Sequence, residues 1–109
     1  MTELPVGELA ALCRAQPACV LLDVREPWEV ALAPLEVAGA RALRIPLGEL
    51  SARLAELPAS APLVCVCHHG ARSRHAAAWL ERAGFDPLYN LAGGVDAWSR
   101  EVDPAVARY

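Results

Sequence analysis

At 109 residues the chain has the size of one domain, which allows one core and one site rather than two. Its 55% hydrophobic content without charge runs excludes a disordered chain, and a formal net charge of -3 lacks the basic footprint of nucleic-acid binding. All 10 basic residues are arginine, which excludes chemistry built on a Schiff-base or P-loop lysine; the arginine and alanine bias is what a GC-rich bacterial genome would produce by itself.

The opening "MTELPVGELAALCRAQ" carries acidic residues early and has neither a basic n-region nor a long apolar h-region, so it does not resemble a secretory signal. No stretch reaches the roughly 18 apolar residues of a membrane span. The expected address is the cytoplasm, with reduced cysteines and no membrane partner. After Gly7, the residues Leu9, Leu12 and Cys13 fall at helical spacing. "CVLLDV" (19–24) and "LVCVC" (63–67) are short continuous apolar runs, the pattern of strands buried on both faces of a parallel sheet. "ALRI" (42–45) and "PLYNL" (87–91) are weaker strand candidates. Helical spacing returns at Leu47, Leu50, Leu54 and Leu57 before Pro58, and at Ala76, Trp79, Leu80 and Ala83 before a C-capping Gly84. "GVDAWSR" (94–100) makes a last short helix, and the tail "EVDPAVARY" (101–109) offers no chemical candidate and reads as a strap or flexible end. Strands alternating with helices predict an α/β domain with a mainly parallel central sheet.

In such sheets ligands bind beyond the carboxyl ends of the strands. Two charged clusters follow strand ends, "DVRE" (23–26) and "CHHGARS" (67–73), and both should face the same edge. Cys67 is expected to end its strand and the helix to start near Arg72 or Ser73, with Gly70 supplying the positive φ of a tight turn. A turn of that kind aims backbone N–H groups inward above a helix N-terminus, and Arg72, Arg74 and Arg25 would add positive charge. These influences favour thiolate over thiol and make Cys67 the best nucleophile in the chain.

The neighbouring groups have plainer readings. His68 and His69 are adjacent, which disfavours a metal site with Cys65 and Cys67; they read as residues that point outward or brace the loop, ahead of general bases. Cys65 lies on the same strand face as Cys67 and reads as core rather than as a resolving thiol. Cys13 and Cys19 read as small buried hydrophobes. Asp23 and Arg25 form either a structural ion pair or a direct substrate contact. Trp28, Trp79 and Trp98 read as packing residues.

The loop "CHHGARS", between a buried strand and an alanine-rich helix, resembles the active-site loop of single-domain rhodaneses, the thiosulfate sulfurtransferase family. "LLDVREPWE" (21–29) is similar to the first signature of that family and "YNLAGGVDAWSR" (89–100) to its C-terminal one, in the expected order. The resemblance implies a rhodanese-like domain over residues 1–100, helices on both faces of the sheet, and a persulfide carried on Cys67. It implies that His68, His69, Gly70, Ala71 and Arg72 complete a ring of amides and, with Ser73, bind the substrate. Arg72 would hold the anionic donor, and Asp23 and Arg25 would brace the site. The chain departs from the family at "LEVAGA" (35–40), where many members carry a histidine before the glycine-alanine pair. The implied reaction takes sulfur from thiosulfate or a similar donor and passes it to a thiol, cyanide or an acceptor protein, with no metal or organic cofactor.

Two rivals differ in chemistry. Cysteine phosphatases and arsenate reductases need about five residues between cysteine and arginine to surround a tetrahedral group, whereas Cys67 and Arg72 are separated by four. A sulfur-relay module that docks on a partner would keep the cysteine and turn over little free thiosulfate.

Overall fold

The computed structural model describes residues 1–109 as one five-stranded sheet. Its strands are β1 (Thr2–Pro5), β2 (Val20–Asp23), β3 (Arg41–Arg44), β4 (Leu63–Val66) and β5 (Leu88–Ala92), in the spatial order β1-β5-β4-β2-β3. Every pairing is parallel. The two apolar runs sit at its centre, all four residues of β2 and of β4 being buried. They pair in register from Val20 opposite Leu63 to Asp23 opposite Val66.

Because side chains alternate across a strand, the sheet feeds two cores. One holds Leu21, Val64, Val66 and Leu91 with Leu9 and Cys13 of α1 (Leu9–Ala15) and Val95, Ala97 and Trp98 of α4 (Gly94–Glu101). The other holds Val20, Leu22, Leu63, Cys65 and Cys67 with Ala76, Ala77 and Leu80 of α3 (Ala71–Arg82). Helices therefore cover both faces. No helix is long and apolar enough to cross a membrane.

From β2 the chain passes through the short α2 (Pro27–Leu32) to β3, while from β4 it passes through α3 to β5 on the other side. The carboxyl ends of β2 and β4 thus flank the point where the sheet order reverses, the place where open α/β sheets leave a crevice.

Several local expectations change. β1 and α2 were not foreseen. Residues 47–57 form two 3-10 segments, Leu47–Glu49 and Ser51–Glu56, with a non-helical break at Arg53 instead of one α-helix. β4 stops at Val66, so Cys67 lies just past its strand, and α3 starts at Ala71, ahead of Arg72 and Ser73. Trp98 is core, but Trp28 is 62% exposed and lies outside both cores.

Candidate functional site

Cys67 leaves the centre of the sheet on the side covered by α3. Gly70, at φ +99°, turns the chain directly into that helix, and a Cβ there would lie 3.1 Å from the backbone nitrogen of Gly93. The turn aims donors at the sulfur: Gly70 N–H donates to Cys67 Sγ at 3.1 Å and Ser73 N–H at 3.4 Å. Ser73 Oγ lies 3.2 Å from Sγ and 2.5 Å from Asn90 Oδ1. The Asn90 amide is oriented by its own donors, since Nδ2 donates to Gly70 O at 3.1 Å and to Glu3 Oε1 at 3.0 Å. A thiol at Cys67 can donate to Ser73, whose hydroxyl then donates to Asn90; toward a charged sulfur the same hydroxyl can turn and donate a hydrogen bond to Sγ instead.

A second element clamps the turn from outside. Val95 N–H donates to Cys67 O and Asp96 N–H to His68 O, both at 3.0 Å, so the start of α4 satisfies the loop carbonyls. This approach requires glycine: a Cβ on Gly94, at φ +60°, would stand 2.5 Å from both of those oxygens.

The charges around the loop are paired within the protein. Arg25 is 1% exposed, and its Nη2 and Nε donate to Asp23 at 2.7 and 2.9 Å. Arg72 forks onto Glu29, Nη2 to Oε1 at 2.7 Å and Nη1 to Oε2 at 2.8 Å. Arg74 is exposed and donates to Glu3 at 2.8 Å. The expected excess of positive charge around Cys67 is therefore offset by three carboxylates, and the donors that face the sulfur are two amides and a hydroxyl. Asp23 and Arg25 form a buried ion pair behind the turn. The Arg72 guanidinium holds the Glu29 carboxyl down at about 2, helped by the Glu26 N–H and the Tyr109 hydroxyl.

His68 lies in an aromatic stack, its ring 3.9 Å from that of His69 and 3.8 Å from that of Tyr109. Burial, and then the neighbouring His69, push the His68 imidazole below its ordinary value. The ligand atoms of His68, His69 and Asp96 lie within 4.8 Å of one another. Asp96, however, already accepts Arg100 at 2.9 Å and Arg108 at 3.2 Å, one on each oxygen, which suits an ion-pair cluster better than a cation site. Burial drives the Cys65 thiol up to about 12, with the adjacent Cys67 adding to the shift, so Cys65 is core. Cys13 and Cys19 are buried and free of disulfides.

The turn thus brings Cys67, His68, His69, Gly70, Ala71, Arg72 and Ser73 together, with Asp23 and Arg25 behind them. Sequence reasoning missed Asn90, Glu29, Tyr109 and Gly94. Glu29 stood in a quoted motif, three residues after Glu26 and two after Pro27, the spacing of a helix start. Asn90 was a lone polar residue in a weak strand. Gly94 belonged to a Gly-Gly pair whose purpose only the docking of α4 reveals.

Comparison with known proteins places the chain in a family. The rhodanese-like domain model matches residues 6–101. A sulfurtransferase of Allochromatium vinosum is 36% identical over 88 residues, 81% of this chain and 78% of that protein. The crystal structure of a rhodanese-related protein from Thermoplasma volcanium superposes with a TM-score of 0.78 at 26% identity, covering 94% of each chain. The polysulfide-sulfur transferase homodimer of Wolinella succinogenes gives 0.75 at 31% identity, over 93% of this chain and 74% of that one. Other curated relatives are longer, and the match spans only 22–30% of their length. With its parallel sheet, its cysteine turn and these likenesses taken together, the chain belongs to the rhodanese-like domain family.

Proposed function

We propose that the protein is a sulfurtransferase that carries sulfane sulfur as a persulfide on Cys67. The supporting observation is the convergence of the Gly70 amide, the Ser73 amide and the Ser73 hydroxyl on Cys67 Sγ, within 3.1–3.4 Å. Fixed donors of this kind stabilise a charged sulfur without reorganising during the reaction. The Cys67 thiolate attacks the outer sulfur of thiosulfate; the new S–S bond forms as the old one breaks, and sulfite leaves with the electron pair. An acceptor thiolate then attacks the outer sulfur of the persulfide and restores the Cys67 thiolate. The stable covalent intermediate makes the kinetics ping-pong. A ring with four residues between Cys67 and Arg72 suits a single sulfur better than a phosphoryl group.

A second reading draws on the charge pairing. Arg72, the cation expected to hold an anionic donor, is already forked onto Glu29. That favours a protein or low-molecular-weight persulfide over free thiosulfate as the better donor, as in a sulfur relay. The name of the Wolinella relative, a polysulfide-sulfur transferase, points the same way.

Intact-mass measurement after incubation with thiosulfate, and again after cyanide, tests the proposal. The expected result is a gain of one sulfur that cyanide removes and that Cys67→Ser lacks. An equal gain in the variant contradicts the role of Cys67. A gain seen only with persulfide donors selects the relay reading.

A further inference from the structure

Residues 102–109 return to the site. Ser99 Oγ donates to Val106 O at 2.6 Å, Arg108 Nε donates to Asp96 at 3.2 Å, and Val106 and Tyr109 pack against the first core. This path delivers Tyr109 to the crevice between the ends of β2 and β4. On the β4 side its ring lies on His68, with 3.8 Å between centroids and 7° between planes, which is van der Waals contact and leaves no room for a ligand between them. On the β2 side its hydroxyl accepts from Arg25 Nη1 at 3.2 Å and donates to Glu29 Oε1 at 3.1 Å. The Trp28 ring meets it edge-on at 6.1 Å. Tyr109 therefore bridges the two turns that form the crevice, at the position where a ligand of such a sheet enters. Cys67 itself is 1% exposed with this bridge in place.

We propose that Tyr109 is a specificity-determining residue, whose ring covers part of the approach to the Cys67 turn and selects small donors over donors whose sulfur is carried on a peptide-sized body. The inference rests on the reading of Cys67 as the sulfur carrier. A small donor passes beside the ring, whereas a donor that brings a peptide-sized body with its sulfur must displace the ring from His68 and break the contacts to Glu29 and Arg25. The two halves of the bridge are separable by substitution. Tyr109→Phe keeps the ring and loses both hydroxyl contacts; Tyr109→Ala loses everything.

The experiment compares sulfur loading of Cys67 in a single turnover, with thiosulfate and with glutathione persulfide as probes, in wild type and both variants. Tyr109→Ala should raise the rate with glutathione persulfide about tenfold or more relative to the rate with thiosulfate. Tyr109→Phe should keep most of the wild-type preference. An equal change for both donors in Tyr109→Ala, which is what a merely structural role produces, overturns the inference, as does loss of the preference in Tyr109→Phe. Loading with unchanged discrimination overturns it while leaving the sulfur-carrier reading intact. Loading from neither donor in any of the three proteins overturns both.

Discussion

The turns after β2 and β4 lie side by side at one edge of the sheet, both follow fully buried strands, and both are rich in charge. They put those groups to opposite uses. After β2, Asp23 and Arg25 are buried and paired, and Arg25 Nη1 donates to Glu29 O and the Tyr109 hydroxyl. After β4, the donors of Gly70 and Ser73 converge on a sulfur atom that carries no partner charge of its own. A charge cluster at a strand end therefore does not identify a reactive site. What separates the two turns is the group at their centre: after β2 an ion pair closes on itself, whereas after β4 two amides and a hydroxyl converge on a sulfur. The first turn is a brace, and in the proposed function the second presents the nucleophile.

Removing the brace should have the largest effect on stability. Arg25→Met leaves the Asp23 carboxylate buried without its partner, a change expected to lower unfolding free energy by about 3–5 kcal/mol in urea titrations. A loss below about 1 kcal/mol would show that the pair does not support the fold in this way. Gly94→Ala comes next. It forces a Cβ into two carbonyl oxygens at a positive φ, and should cost about 1–3 kcal/mol while slowing persulfide formation about tenfold or more, because the loop carbonyls move with α4. If stability falls and the rate does not, α4 does not position the turn.

The smallest expected effect is the pH dependence of the Arg72–Glu29 pair. The folded value of Glu29, about 2, lies below its ordinary 4.5. Its contribution to stability is then complete above the ordinary value and is lost as pH falls through that interval towards about 2. Unfolding measured across this window should show a slope that Glu29→Gln reduces.

The centre of the fold was legible because β2 and β4 are continuous apolar runs, a signal strong enough to survive without context. β1 was not, because only Leu4 of "TELP" is buried and the strand exists by pairing with β5, Thr2 opposite Tyr89. The spacing of Leu47, Leu50, Leu54 and Leu57 suits a helix, yet the turns adopt the three-residue repeat of a 3-10 segment and break at Arg53. The reactive turn was legible because a thiol, a glycine and a helix start are adjacent in sequence. Its supports were not, because Glu3, Glu29, Asn90, Gly94 and Tyr109 come from five other places in the chain. Tyr109 is the sharpest case: its segment carries no local signal, and its importance lies in touching His68, Arg25 and Glu29 at once.

The most direct measurement is site-resolved. After thiosulfate or glutathione persulfide treatment and alkylation, fragmentation mass spectrometry of the peptide spanning Cys65 and Cys67 locates the added sulfur. One sulfur on Cys67, with none on Cys65, Cys13 or Cys19, is the result the geometry predicts. Sulfur on Cys65, or on no cysteine with either donor, would contradict the assignment of the second turn as the reactive one.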